Sequence, residues 1–169
     1  MAQVTRRRFT ADEYGQMLRS GILGEDDRVE LVDGEIVELR PIGSAHAAQV
    51  KRLATLLHRV AADYAIVSVQ DPIHLDERSE PQPDLALLRF RDDFYAARHP
   101  TPADVLLIVE VSDSSVAYNR EVKLPLYAQS GISEVWLIDQ AAPGVLEVHT
   151  GPSVAGYSHV RRAPGLEMP

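Results

Sequence analysis

Residues Val105-Leu106-Leu107-Ile108-Val109-Glu110-Val111 form an apolar, β-branched run interrupted by one carboxylate. A run of this kind predicts a strand buried on both faces. An ionised Glu110 inside it costs several kcal/mol unless a cation, a metal or hydrogen bonds compensate it. Upstream, Pro83-Asp84-Leu85-Ala86-Leu87-Leu88 repeats the design, with the carboxylate at the start of a second apolar strand. Asp84 and Glu110 lie far apart in sequence, so only strand pairing can bring them together.

The remaining pattern supplies elements around these two strands. Phe9 to Tyr14 opens a short helix, with Thr10 as N-cap, Glu13 completing a capping box, and Gly21 and Gly24 closing it. Residues 28–39 alternate about Asp33-Gly34 and predict a β-hairpin with a tight primed turn. There Glu30 and Val32 point one way and Val29 and Leu31 the other. Ser44 is a candidate cap for a helix from Ala45 to about Asp63, whose apolar positions Val50, Leu53, Ala54, Leu57 and Ala61 follow helical spacing; His46 falls in its first turn.

Tyr64 to Gln70 reads as a strand and Asp71 to Pro83 as a polar connection stiffened by Pro81 and Pro83. Arg89 to Asp104 reads as a surface loop with a short helical turn. After the Glu110 strand, Ser112-Asp113-Ser114-Ser115 breaks the chain, and a helix follows over about 118–130. Val122, Leu126 and Tyr127 are expected to face inward, with a kink at Pro125 and Gly131 at the end. Glu134 to Asp139 is a further strand. Val145 to Thr150 and Val154 to Arg161 predict a terminal hairpin around Gly151-Pro152.

Composition narrows the class. The 169 residues, 45% hydrophobic and 25% charged, suit a single globular domain over 1–169, with a core at about 9–140 and the terminal hairpin at about 145–162. No apolar run approaches the length of a membrane span. The basic start lacks the apolar segment of a secretory signal. The absence of cysteine excludes a disulfide framework and a thiolate zinc site. A cytoplasmic protein is expected. The net charge of −8 argues against a surface coated in positive charge, and Arg6-Arg7-Arg8 and Arg161-Arg162 read as solvated charges near the termini.

Two carboxylates at neighbouring strand positions suit a hard divalent cation such as magnesium. A lysine from the following helix, Lys123, can stabilise charge that develops on a phosphoryl group or orient a water. Lys123 is poorly placed to pair with Glu121, since residues two apart in a helix face different sides.

The ordered set RVELVDGEIVEL, the helix beginning near His46, EPQPDLALL, VLLIVEVSDSS and REVKLPLYAQSGISEVWLID resembles the Uma-two family of restriction-endonuclease-like proteins, within the PD-(D/E)XK nuclease superfamily. The resemblance covers roughly Phe9 to Asp139. It implies an α/β (α+β) fold with an αβββαβ core: a central mixed sheet flanked by helices, with an N-terminal helix and β-hairpin. It also implies hydrolysis of DNA phosphodiester bonds with Mg2+, or with Mn2+ in its place.

Carried onto this chain, the resemblance makes Asp84 and Glu110 metal ligands, with the Val111 carbonyl completing the set, and Glu30 and Lys123 catalytic partners. The usual spacing would put the lysine at Ser112; Lys123 matches its displaced position. Ser112-Asp113-Ser114 and Asn119 depart from the family pattern beside the site. Glu30 reads equally as a solvent-facing hairpin residue, and His46 as a helix-start residue or as a contact to phosphate or metal-bound water. Tyr127 and Trp136 read as core or interface aromatics, and Tyr118 and Gln129 as residues flanking the site.

Cutting both strands of a duplex calls for two active sites, so a homodimer is expected. Two other classes remain open. One is a catalytically silent binding or regulatory module, in which alanine at Asp84 and Glu110 would relieve repulsion and stabilise the fold. The other is a metal-dependent hydrolase of a small phosphorylated substrate.

Overall fold

The computed structural model of the chain describes residues 5–24, 26–61, 63–112, 115–141 and 145–164. Helix α1 (Ala11–Arg19) leads into a hairpin of β1 (Val29–Val32) and β2 (Glu35–Glu38), then α2 (Ser44–Ala61), β3 (Ala65–Val69), β4 (Leu85–Arg89) and β5 (Val105–Ser112). A helical run follows, made of α3 (Val116–Tyr118), a π-helical turn (Asn119–Lys123) and α4 (Leu124–Gln129). Strands β6 (Glu134–Asp139), β7 (Val145–Ser153) and β8 (Gly156–Pro164) complete the order. The result is an α+β fold with an N-terminal helix and hairpin. Strands β3 to β8 lie in sequence order in one mixed sheet, where β5 and β6 are parallel and the other neighbours antiparallel.

The alternation of β5 divides the core. Leu107, Val109 and Val111 pack with Leu85 against Val50, Leu53 and Leu57 of α2. Ile108 packs with Ala86 and Leu88 against Leu124 and Tyr127 of α4. Because β side chains alternate, Glu110 and Ser112 belong to the α4 side. This face holds the charge.

Local chemistry accounts for the first helix and the hairpin. The Thr10 hydroxyl accepts from the Glu13 N–H (3.2 Å) while the Glu13 carboxylate accepts from the Thr10 N–H (3.0 Å). Asp33 (φ 47°) and Gly34 (φ 78°) both take the left-handed conformation that a primed turn requires. Tyr14 and Ala11 pack on Val29 and Leu31, and the Tyr14 hydroxyl donates to the Val29 carbonyl (3.0 Å).

Several expectations require correction. Ser44 is the first helical residue of α2 and lies inside the helix it was expected to cap. The connection over 71–83 is not simply a polar surface link: Ile73, Leu75, Pro81 and Pro83 are buried, and Glu80 bridges to Leu31 of β1. Prolines suit such burial because they bring no N–H that needs a partner. In the helix after β5 the buried face is Asn119, Lys123, Leu124, Tyr127 and Ala128, while Val122 and Leu126 are half-buried. The π turn explains the shift: the Leu124 N–H bonds the Asn119 carbonyl five residues back, which rotates the face away from that of a regular helix.

The terminal hairpin turns at Val154-Ala155, with Ser153 opposite Gly156, so Gly151 and Pro152 lie inside β7. Pairing with β6 ends at Thr150, so beyond it Pro152 has a neighbouring strand on one side only and its missing N–H breaks no inner ladder. The expected break after β5 falls partly on Asp113 and Ser114, which lie outside the described residues. So do residues 1–4 and 165–169, at the ends of the expected domain.

Candidate functional site

The register of β4 and β5 pairs Leu85 with Val109. Extending it by one residue sets Asp84 opposite Glu110, at the strand ends. The Val111 N–H donates to Asp84 Oδ2 (2.9 Å), fixing the carboxylate against the neighbouring strand. Gln70 Nε2 donates to the other oxygen, Oδ1, at 3.3 Å.

Glu110 is 2% exposed and is held by two donors on one oxygen. Tyr127 donates its hydroxyl to Glu110 Oε1 at 2.6 Å, and Lys123 Nζ donates to the same oxygen at 3.1 Å. Burial pushes the Glu110 carboxyl up to about 7, against the pull of the Lys123 ammonium toward ionisation.

Glu30 arrives from β1 and is fully buried. Its Oε2 accepts from the Gln82 backbone N–H (2.9 Å) and lies 3.2 Å from Lys123 Nζ; its Oε1 accepts from the Tyr118 hydroxyl (3.1 Å). Gln82 also donates its side-chain amide to the Val29 carbonyl (3.0 Å), which ties the hairpin to the approach to β4. The Lys123 ammonium therefore has three acceptors: Glu30 Oε2, Glu110 Oε1 and the Gln82 carbonyl at 3.2 Å. Burial disfavours its charge, but Glu110 and Glu30 outweigh burial and hold its pKa above the ordinary lysine value. Burial, with Glu30 beside it, raises the Tyr118 hydroxyl as well.

His46 approaches from the first turn of α2. Its Nε2 lies 3.0 Å from Asp84 Oδ1. The hydrogen bond to Asp84 raises the imidazole pKa, burial opposes it, and the Asp84 and Glu110 charges and the Val111 backbone add to the rise.

His46, Gln70, Gln82, Asp84, Glu110 and Lys123 line a cleft of about 310 Å³ together with Arg28, Arg40 and Tyr118, while Glu30 and Tyr127 stand behind its wall. Arg28 is anchored by a hydrogen bond to the Arg40 carbonyl (2.8 Å). The arrangement can receive an anionic group: cationic side chains at the rim and beneath it, and carboxylates able to carry a hard cation. Asp84 and Glu110 supply the charge such a cation needs, but they form no closed cage. Among the described residues no three histidine or acidic side chains converge on one point as a metal centre.

Glu30, Asp84, Glu110 and Lys123 thus stand together at one sheet end, with the Val111 backbone beside Asp84. Among the described residues Lys123 forms its ion pairs with Glu30 and Glu110 and not with Glu121. Gln129 is exposed and Trp136 packs on the α2 side of the sheet, both away from this cluster. Ser112 is fully buried, and its hydroxyl accepts from the amide of Asn119 (2.7 Å), so Asn119, which departs from the family pattern, is tied to the end of β5; Asp113, the departing residue of the stretch after β5, lies outside the described residues. Both carboxylates have hydrogen-bond partners, while the charges of Asp84 and Glu30 still push the Glu110 carboxyl up.

Sequence reasoning missed Gln82 and Gln70 and gave Tyr127 a packing role alone. The spacing of Asn119, Lys123 and Tyr127, four apart along one helix, was the available signal for Tyr127. Arg7 pairs with Glu13, Arg8 with Asp33 and Arg162 with Glu147, so these arginines act as surface charges in local pairs. No helix of the described residues is long and apolar enough to cross a membrane.

A family model described as "Uma2: Putative restriction endonuclease" matches residues 11–168. A solved structure described as "a putative nuclease belonging to DUF820 from Anabaena variabilis ATCC 29413" superposes with a TM-score of 0.74, over 95% of this chain and 87% of that one, at 14% identity. At that identity the likeness establishes the shared fold. No curated protein matches the chain.

Proposed function

Because the chain belongs to the family described as "Uma2: Putative restriction endonuclease", we propose that it is a metal-dependent endonuclease hydrolysing phosphodiester bonds of DNA. The observation that carries this reading is the buried Glu30–Lys123–Glu110 cluster set beside Asp84 at the base of a cleft with arginines at its rim. A buried lysine between two carboxylates costs desolvation that a merely structural contact could avoid with apolar residues.

Asp84 and Glu110 would hold the cation, with the Val111 carbonyl as a third protein donor. A divalent cation, when bound, polarises a phosphoryl oxygen and makes water more acidic; Mg2+ and Mn2+ both suit. Lys123 places positive charge where negative charge develops on the phosphoryl group. Glu30 and the Gln82 carbonyl fix the ammonium, and Tyr127 fixes the Glu110 carboxylate. Arg28 and Arg40 at the rim suit contact with flanking phosphates. Cleavage of both strands calls for a homodimer, which sedimentation would test.

A second reading, hydrolysis of a small phosphorylated compound, is favoured by the limited cleft of about 310 Å³ and by the net charge of −8. One experiment separates the readings: plasmid nicking and turnover of a chromogenic phosphodiester with Mg2+ or Mn2+, on the wild type and on Asp84→Ala. Nicking by the wild type that Asp84→Ala abolishes supports the endonuclease. Diester turnover without nicking, and without salt-dependent DNA affinity, supports the small-substrate hydrolase. No turnover of either kind would leave a silent module on a nuclease fold.

A further inference from the structure

The exposed face of α2 carries Lys51, Arg52 and Arg59, and the helix contains no acidic residue from Ser44 to Ala61. The whole chain has 25 acidic and 17 basic residues, so this helix runs against its balance. Surface helices gain from acid–base pairs three or four residues apart, and α2 forgoes them. Among the described residues none of the three cations enters an ion pair. The helix dipole favours a cation in the last turn, where Arg59 lies, but gives no reason for Lys51 and Arg52 in the middle.

Beside these cations α2 and the end of β3 bound a groove of about 620 Å³. The apolar Val50, Ala54 and Val69 line it with Lys51, His58 and Arg59, and no acidic side chain does. The groove adjoins the cleft on both elements. Val69 of the groove precedes Gln70 of the cleft, and Val50 stands one helical turn beyond His46. The His58 Nδ1 donates to the Ala54 carbonyl (2.6 Å), which turns that ring back onto the helix, so Lys51 and Arg59 are the cations the groove presents. Eight residues of helix set them about 12 Å apart along its axis, a length over which one strand of duplex DNA carries about three phosphates.

We propose that this groove is the binding track for the DNA strand leading into the cleft, with Lys51 and Arg59 contacting backbone phosphates and the apolar lining facing the sugars. The inference rests on the endonuclease reading and names the surface that holds its substrate. It also answers the objection of net charge: the positive charge a polyanion needs is gathered on one helix beside the cleft. A second copy of the chain is a poor occupant, because two-fold pairing of this face opposes like charges.

The test measures fluorescence anisotropy of a labelled duplex titrated with the full chain over a salt series, in chelator so that nothing is cut. Wild type, the Lys51→Ala/Arg59→Ala double variant and Arg161→Ala are compared; Arg161 is exposed on β8, at the opposite edge of the sheet from β3. Both groove positions are exposed on a helix, so alanine preserves the fold, which circular dichroism checks. The slope of log affinity against log salt should shrink by about two in the double variant, alike for unrelated sequences, and stay unchanged in Arg161→Ala. Over a tenfold dilution of salt the double variant then gains about a hundredfold less affinity than the wild type. An unchanged slope in the double variant, or the same loss per charge in Arg161→Ala, overturns the groove while wild-type plasmid nicking keeps the endonuclease reading standing. Loss of binding to anionic phospholipid vesicles, with DNA binding unaffected, assigns the face to a membrane surface and overturns the proposal as well. A wild type that neither binds DNA nor nicks it overturns both readings.

Discussion

Replacing Lys123 by methionine isolates the electrostatics of the site in one substitution. The side chain is 4% exposed, and its ammonium lies 3.2 Å from Glu30 Oε2 and 3.1 Å from Glu110 Oε1. Methionine has nearly the same volume, so packing changes little and the loss is one of charge. Removing one partner of a buried ion pair costs about 3–5 kcal/mol, because it strands the other charge. Here two carboxylates are stranded, and proton uptake is their cheapest remedy.

That remedy makes the cost depend on pH. With Lys123 present, the Glu110 carboxyl is already raised from its ordinary 4.5 to about 7. A group with a raised folded pKa holds more protons folded than unfolded, so stability falls as pH rises between the unfolded and folded values. In the wild type this Glu110 contribution is therefore exhausted above about pH 7. Lys123 is the largest influence lowering the Glu110 value, so Lys123→Met extends the window upward. Between about pH 7 and the variant's own higher value, its stability should fall by about 1.4 kcal/mol per pH unit relative to the wild type.

Two other groups do not confuse the comparison. The raised folded pKa of Lys123 means that its contribution is fully present below its unfolded value of 10.5 and is lost only at higher pH. His46, also raised, loses its contribution as pH climbs from 6.5 through its folded value, and it does so in both proteins. Urea unfolding followed by the fluorescence of Trp136, the single tryptophan, across a pH series with a chelator present gives the difference directly. Parallel stability curves would refute the reasoning, as would a cost below about 1 kcal/mol in alkaline buffer, the range of exposed pairs. Either result would mean that the carboxylates reach water.

Two further predictions probe the same cluster. Tyr127→Phe removes the 2.6 Å hydrogen bond to Glu110 Oε1 and should cost about 1.5–3 kcal/mol in urea unfolding, with Glu110 titrating above about 7 by carboxyl carbon NMR. Asp84→Asn removes the main influence raising the His46 pKa, so the imidazole should titrate closer to its ordinary 6.5 when followed by the His46 ring proton; an unmoved titration would mean that the pair does not form in solution.

What the sequence made legible was either local or fixed by strand alternation. The capping box of Thr10 and Glu13 and the turn at Asp33-Gly34 depend on a few adjacent residues, and the structure forms both. The juxtaposition of Asp84 and Glu110 needed two apolar strands to pair, which their own patterns already favoured. Gln82 was illegible for a different reason: its backbone N–H and carbonyl hold Glu30 and Lys123, and a main-chain group looks the same at every residue. The inward face of the helix after β5 was misjudged because a helical period of 3.6 cannot anticipate a π turn. The turn at Val154-Ala155 was hidden by Gly151-Pro152, a stronger local turn signal that β7 absorbs beyond the end of its pairing with β6.

The way Lys123 is held limits how it can act. An ammonium has three N–H donors, and here three acceptors surround it: two carboxylates and the Gln82 carbonyl. No donor remains for a water or a phosphate oxygen while all three contacts persist. In this arrangement Lys123 contributes charge, and a direct hydrogen bond to substrate requires one acceptor to yield. The Gln82 carbonyl is the cheapest to release, because it is neutral and an ordinary hydrogen bond contributes about 1 kcal/mol, whereas the two carboxylates hold the ammonium by charge as well. Displacing it would loosen the segment that also binds Glu30 through the Gln82 N–H and the Val29 carbonyl through the Gln82 side chain. The hairpin and the site therefore share one segment: Gln82 holds Lys123 by its carbonyl and Glu30 of β1 by its N–H.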